Sequence, residues 1–165
     1  MQMVETWLEK AEKKALMREL DEALEYVNSA ILAIRKDGLC LDIVYKALRL
    51  LSFIYAGQAK WNEAEQILND VIDAGSRAYG PHAADAMYML AKNCLSCQNY
   101  EKAAKWCDMA LDWFGNVNDR HLTRVQLCRN LYFKISEGQG KSKEAEQWRD
   151  RLHPDFNRGK NSLLK

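Results

Sequence analysis

The sequence predicts an all-α protein built from about four antiparallel helix pairs. Three observations lead there. One apolar pattern recurs: Leu48-x-x-Leu51-Ser52-x-x-Tyr55 followed by Trp61-x-x-Ala64-x-x-x-Leu68-x-x-Val71, and then Met87-x-x-Leu90-Ala91-x-x-Cys94 followed by Tyr100-x-x-Ala103-x-x-x-Cys107-x-x-Ala110. Steps of three and four residues place these side chains on one face of a helix. A small residue anchors each second helix, and Ala23, Ala64, Ala103 and Ala145 recur at intervals of 41, 39 and 42 residues. Finally, the 165 residues include only two prolines and eight glycines, so long helices are broken mainly at their ends.

The predicted helices span 3–17, 20–35, 42–57, 61–78, 82–97, 100–114, 119–138 and 142–152. In the first helices the columns are Trp7/Leu48/Met87/Arg129, Lys10/Leu51/Leu90/Tyr132, Ala11/Ser52/Ala91/Phe133 and Lys14/Tyr55/Cys94/Ser136. In the second helices Leu20/Trp61/Tyr100/Ser142 stand three before the alanine, and Val27/Leu68/Cys107/Arg149 four after it. Small residues let paired helices approach closely, and large neighbours fill the remaining space. Turns are expected at Gly57-Gln58-Ala59-Lys60, at Gln98-Asn99 with Asn99 as N-cap, and at Gly138-Gln139-Gly140-Lys141. Gly80 is expected to end one helix and Pro81 to open the next. Arg149, in a column that is otherwise apolar, suits a terminal repeat, which needs a polar outer face. Residues 154–165 read as a C-terminal tail with little core-forming power.

Composition narrows the function. A formal charge of +1 disfavours a protein that coats nucleic acid or an anionic membrane. No apolar run reaches the ~18 residues a spanning helix needs. The N-terminal segment passes straight into charged helix, without a secretory apolar core. Five cysteines, an odd number, read as reduced thiols in a cytoplasmic setting.

The repeated pattern resembles the tetratricopeptide repeat family, whose signature is Trp-x-x-Leu-Gly-x-x-Tyr followed by Ala-x-x-x-Phe and a second Ala. The resemblance covers about 5–153, with the two middle copies matching well. It implies one repeat domain over 1–153, with repeats at 3–35, 42–78, 82–114 and 119–152, wound as a right-handed superhelical stack. The intervals exceed the family's usual ~34 residues. The extra residues fall at about 35–42, 73–82 and 114–120. Ala78-Tyr79-Gly80-Pro81-His82-Ala83-Ala84-Asp85 is similar to the inter-repeat junction of the kinesin-light-chain type. That type's paired asparagines are replaced by Tyr88 and Met89, so a cargo role does not carry over.

Catalytic, metal and cofactor chemistry find little footing. Cys94-x-x-Cys97 lacks the second pair that a structural zinc site needs, and Cys94 and Cys107 fall on core columns. His82, His121 and His153 belong to no metal-binding motif. No nucleophile elbow, Walker loop or dinucleotide-binding turn is present. No catalytic residue, metal or cofactor is expected. Trp106 and Trp148, which share a column with Tyr26 and Ile67, read as half-buried structure.

In tetratricopeptide arrays the first helices line a concave face that holds ligand segments. The resemblance transfers Leu8 and Glu12, then Lys46, Arg49 and Phe53, then Asp85, Tyr88 and Lys92, then Leu127, Asn130 and Lys134 to that face. The expected partner-binding set is Lys46, Arg49, Phe53, Tyr88, Lys92, Asn130 and Lys134: cations interleaved with aromatic rings. Such a surface suits a protein or peptide with carboxylates and an apolar anchor. The family's carboxylate clamp for chaperone C-termini is absent in either frame (Leu8, Glu12, Leu50, Asp85, Met89 or Arg49, Phe53, Met89, Leu127, Leu131). A non-catalytic adaptor is therefore expected. Its alternatives are a regulator that clamps another protein through inter-repeat loops, and a self-assembling scaffold.

Overall fold

The computed structural model describes residues 2–37, 41–78, 81–115 and 122–151, with the side chains of 37 and 74–78 excepted. The helices are α1 (Gln2–Leu16), α2 (Leu20–Asp37), α3 (Leu41–Gly57), α4 (Trp61–Ala78), α5 (Pro81–Ser96), α6 (Tyr100–Gly115), α7 (Leu122–Gly138) and α8 (Ser142–Asp150). No strand occurs among the described residues. The chain divides into two units, Met1–Ala86 and Met87–Lys165. In the first, α1 pairs with α2 and α3 with α4, and α3 also packs on both α1 and α2. In the second, α7 packs on α6 and on α8.

The predicted repeat is visible in the turns. Each pair is joined by the same C-terminal cap, with Arg18, Ala59, Gln98 and Gly140 at φ of 65°, 60°, 58° and 70°. After each of these residues, an N–H reaches back to the carbonyl five residues earlier: Glu19 to Lys14, Lys60 to Tyr55, Asn99 to Cys94 and Lys141 to Ser136, at 2.8–3.0 Å. This is the Schellman arrangement, which satisfies the carbonyls that a helix end leaves open. Only the last copy uses glycine at the left-handed position. The following residue's carbonyl then accepts from the alanine column, as Ala23, Ala64, Ala103 and Ala145 donate to Glu19, Lys60, Asn99 and Lys141 at 2.9–3.1 Å. Asn99 caps α6 as expected, its Oδ1 accepting from the Lys102 N–H at 3.2 Å.

The columns are buried as the pattern requires. Ala23, Ala64 and Ala103 are wholly inaccessible and Ala145 is 4% exposed. Ala11, Ser52 and Ala91 are inaccessible too. Leu68, Leu90 and Ile54 fill the space beside them, each burial being worth about 1.5–3 kcal/mol. Arg149 departs from its column and lies exposed, with its guanidinium 3.7 Å from Glu146. Pro81 opens α5, where its missing N–H costs nothing.

Two glycines read from sequence as turn residues serve packing instead. Gly57 and Gly138 are the last residues of α3 and α7. A Cβ at Gly57 would sit 3.0 Å from Leu20, and one at Gly138 would sit 2.2 Å from Tyr100 Cε1. Leu20 and Tyr100 share one column, so in each unit a first helix ends in a notch that receives the previous repeat's large residue. Gly138→Ala is expected to lose about 1–3 kcal/mol, although alanine favours helix, because the Tyr100 ring must shift. Urea denaturation checks this, and Ser142→Ala, on the exposed start of α8, serves as the neutral control.

The predicted helix boundaries agree with these spans to within three residues where they are described. Residues 119–121, Gly80, Cys40, His121, His153 and the tail 154–165 lie outside the described residues, as do parts of the 35–42, 73–82 and 114–120 segments.

Candidate basic-aromatic surfaces on the first helices

In the first unit, steps of three and four put Lys46, Arg49 and Phe53 on one face of α3. Arg49 is exposed, Lys46 half-buried, and Phe53 is 38% exposed, an aromatic ring offered to solvent. Ser52, behind this face, is fully buried and donates to the Arg49 carbonyl at 3.1 Å. Leu8 does not belong with them. It is wholly buried, because α1 packs against both α2 and α3 and its stripe of Val4, Leu8, Ala11 and Ala15 is core. Glu12 is exposed.

The second unit brings several predicted residues together. Lys92 Nζ lies 5.8 Å from the centroid of the Tyr88 ring. Lys134, from the same column one repeat later, is close enough to oppose the Lys92 charge. Partial desolvation first, and Lys134 second, draw the Lys92 pKa below the ordinary lysine range. Neither ammonium has a carboxylate partner among the described residues. Asn130 is half-buried on α7, one turn before Lys134 and on the same face. Tyr88 is half-buried, and burial, followed by the nearby Cys128 and Cys107 thiols, pushes its phenol up to about 12. The ring therefore stays neutral at physiological pH and offers an aromatic face and an O–H donor.

Beneath this surface Cys107 and Cys128 are fully buried, and the Cys107 thiol donates to the Cys128 carbonyl at 3.4 Å. Interaction with the Cys128 side chain and burial raise the Cys107 pKa far above the ordinary thiol range, so it packs as a small apolar residue rather than reacting. Cys94 is buried and Cys97 exposed, so the Cys94-x-x-Cys97 spacing points its two thiols into different surroundings. No group of three or more potential metal ligands occurs among the described residues. The column of Tyr26, Ile67, Trp106 and Trp148 is half-buried throughout, and Trp148 stacks on Tyr132 at 4.6 Å. Among the described residues no helix is long and apolar enough to cross a membrane.

The sign of the Lys92 shift gives a measurable consequence. Below its folded pKa, Lys92 is charged in both states and the folded state bears the whole penalty. As pH rises through that lowered pKa the folded state releases the proton first, and stability rises. Lys92→Met is therefore expected to stabilise the unliganded protein at neutral pH by on the order of 0.5 kcal/mol, solvent screening keeping the gain small. The gain should shrink as the pH is raised, which urea titrations at several pH values would show.

No protein-family model matches the sequence, and no curated protein matches it. Solved structures do. BtubC (BKLC) from P. vanneervenii superposes with a TM-score of 0.79 at 17% identity, covering 98% of this chain and 64% of that one. A kinesin-light-chain-like protein of Podosopora anserina with nearly identical TPR-like repeats gives 0.73 at 15% identity, over 93% of this chain and 80% of that one. Its Q17M variant gives 0.72, also at 15% identity. The fold is thus that of the tetratricopeptide-like helical-repeat proteins, a group that includes long-spaced kinesin-light-chain-like repeats. The chain spans less than two thirds of the BtubC chain.

Proposed function

We propose that this chain is a non-catalytic adaptor whose first-helix faces bind a peptide or protein segment, in the service of complex assembly. The observation that carries the reading is the Tyr88–Lys92–Lys134 surface. Lys92 lies over the Tyr88 ring, and Lys134, of the same repeat column, is close enough to oppose its charge, with no carboxylate partner for either among the described residues. The repulsion between the two ammonium groups costs stability; a ligand carboxylate would relieve it and gain two charge-assisted contacts. Tyr88 in the second unit, and separately Phe53 in the first, each offer aromatic area to an apolar anchor. The ligand class is therefore an acidic segment with apolar side chains, held in the second unit by the exposed cations on α5 and α7; Arg49 and Phe53 offer a surface of the same chemistry on α3 of the first unit. The fold suits this role, since a repeat array presents a shaped surface without needing a reactive centre.

Affinity capture from the source cell lysate tests it, comparing wild type, Arg49→Glu and Lys92→Glu/Lys134→Glu after circular dichroism has shown all three equally folded. Recovery of a partner by wild type is expected to fall about tenfold or more with the double variant, a cost near 1.4 kcal/mol. A partner retained equally by all three proteins would move the site to the loops or to the second helices.

A further inference from the structure

The first repeat departs from the others where they are most regular. Lys10 stands in the column of Leu51, Leu90 and Tyr132, and Lys14 in that of Tyr55, Cys94 and Ser136. The last repeat shows what the first of these columns does. Tyr132 stacks on Trp148 and donates its O–H to the Ala104 carbonyl at 3.2 Å, sealing its repeat against the helix before it. In the first repeat the equivalent pair is Lys10 and Tyr26, with the ammonium 5.7 Å from the ring centroid. A seal has become a cation over an aromatic face.

The consequence is a cleft of about 320 Å³ lined by Lys10, Lys13, Lys14, Met17 and Tyr26. Its charges are not equivalent. Lys14 is held by Glu19 and, at 2.8 Å, by Glu22. Lys10 and Lys13 are exposed and have no carboxylate partner among the described residues. The remaining lining is apolar: Met17 is 58% exposed, and Tyr26 is half-buried against the core of the first unit. An apolar floor under two unneutralised ammonium groups selects for a ligand that is both apolar and acidic.

We infer that this cleft is a second docking site, distinct from the surfaces on α3, α5 and α7, for an acidic protein segment that inserts one apolar side chain between Met17 and Tyr26 and sets carboxylates on Lys10 and Lys13. The volume admits one large side chain rather than a sheet of lipid. Glu19 and Glu22 keep Lys14 occupied, so the ligand's charge is directed to Lys10 and Lys13.

The test uses the full chain, labelled with 15N and with methionine methyl 13C. The probe is an acetylated hexapeptide with two central leucines flanked by glutamates. Saturable shifts at the Met17 methyl and around Tyr26 are expected, with affinity weakened about tenfold or more by Lys10→Glu/Lys13→Glu and by Met17→Ser. Both changes are at exposed positions, and circular dichroism confirms that the variants fold. Lys92→Glu/Lys134→Glu should leave these shifts intact, which separates this site from the surface on α5 and α7. Undiminished affinity in the Lys10/Lys13 variant overturns the inference, as does the absence of saturable binding. Equal binding of a peptide with lysines in place of the glutamates also overturns it. Phosphatidylserine vesicles that bind through Lys10 and Lys13 when the peptide does not would reassign the cleft to a lipid surface and equally refute it.

Discussion

Ala103→Trp is expected to cost at least about 3 kcal/mol and to lower the melting temperature by about 6–12 °C. Ala103 has no accessible surface, and its N–H bonds the Asn99 carbonyl at 2.9 Å in the first turn of α6. An indole there cannot rotate into solvent. It must push α6 from its neighbours or break the turn that carries the shared cap. Because helical repeats communicate through nearest neighbours, the loss should concentrate in the second unit. Hydrogen exchange reads this directly, with protection falling across α6 and α7 before it falls in α1 to α4. Glu101→Trp is the control, two residues away and exposed, and should lie within about 0.5 kcal/mol of wild type. An Ala103→Trp protein as stable as that control would show the alanine column to be wrongly placed.

Phe114→Ala should be as severe, at about 3–5 kcal/mol by urea denaturation. Phe114 is 2% exposed and the largest of the fully buried side chains among the described residues. Its ring meets Trp113 edge-on at 5.5 Å, and the Arg124 guanidinium lies 5.8 Å from its centroid. Truncation removes the transfer energy, leaves a cavity, and deprives Arg124 of its aromatic face. Phe114→Leu keeps most of the volume and should cost under about 1.5 kcal/mol. If alanine and leucine were equally mild, Phe114 would not be the keystone of the α6–α7 contact.

The fold was legible because its period is written in small residues. Ala23, Ala64, Ala103 and Ala145 tolerate nothing larger where helices touch, so the sequence keeps them whatever the surroundings. The joints were less legible. Arg18, Ala59 and Gln98 adopt left-handed φ although none favours it, because the cap is set by the carbonyls it satisfies rather than by the residue at its centre. Gly57 and Gly138 resemble turn punctuation locally. Their true partners, Leu20 and Tyr100, are far away in sequence and become visible only once helices are stacked. The family resemblance puts Leu8 on a ligand face, yet Leu8 is core, since α1 packs against both α2 and α3. Of the proposed binding residues, Lys92 and Lys134 share a column in the sequence, and in the structure Lys134 is close enough to oppose the Lys92 charge. The Lys10–Tyr26 cleft had a signal too, in the two lysines that break apolar columns. What those lysines surround depends on side-chain direction, which the pattern does not encode.

The central claim is that first-helix cations and aromatics form ligand-binding surfaces, one in each unit. The most direct test is a 15N chemical-shift titration of the whole chain with the binding segment of a captured partner, or with an acidic, leucine-containing peptide. The account predicts that the largest saturable shifts, beyond those in the separate Lys10–Tyr26 cleft, fall on α3, α5 and α7 around Arg49, Phe53, Tyr88, Lys92, Asn130 and Lys134. It also predicts that affinity falls as salt is raised, because exposed charges are screened. Shifts confined to α2, α4, α6 and α8, with affinity indifferent to salt, would contradict it.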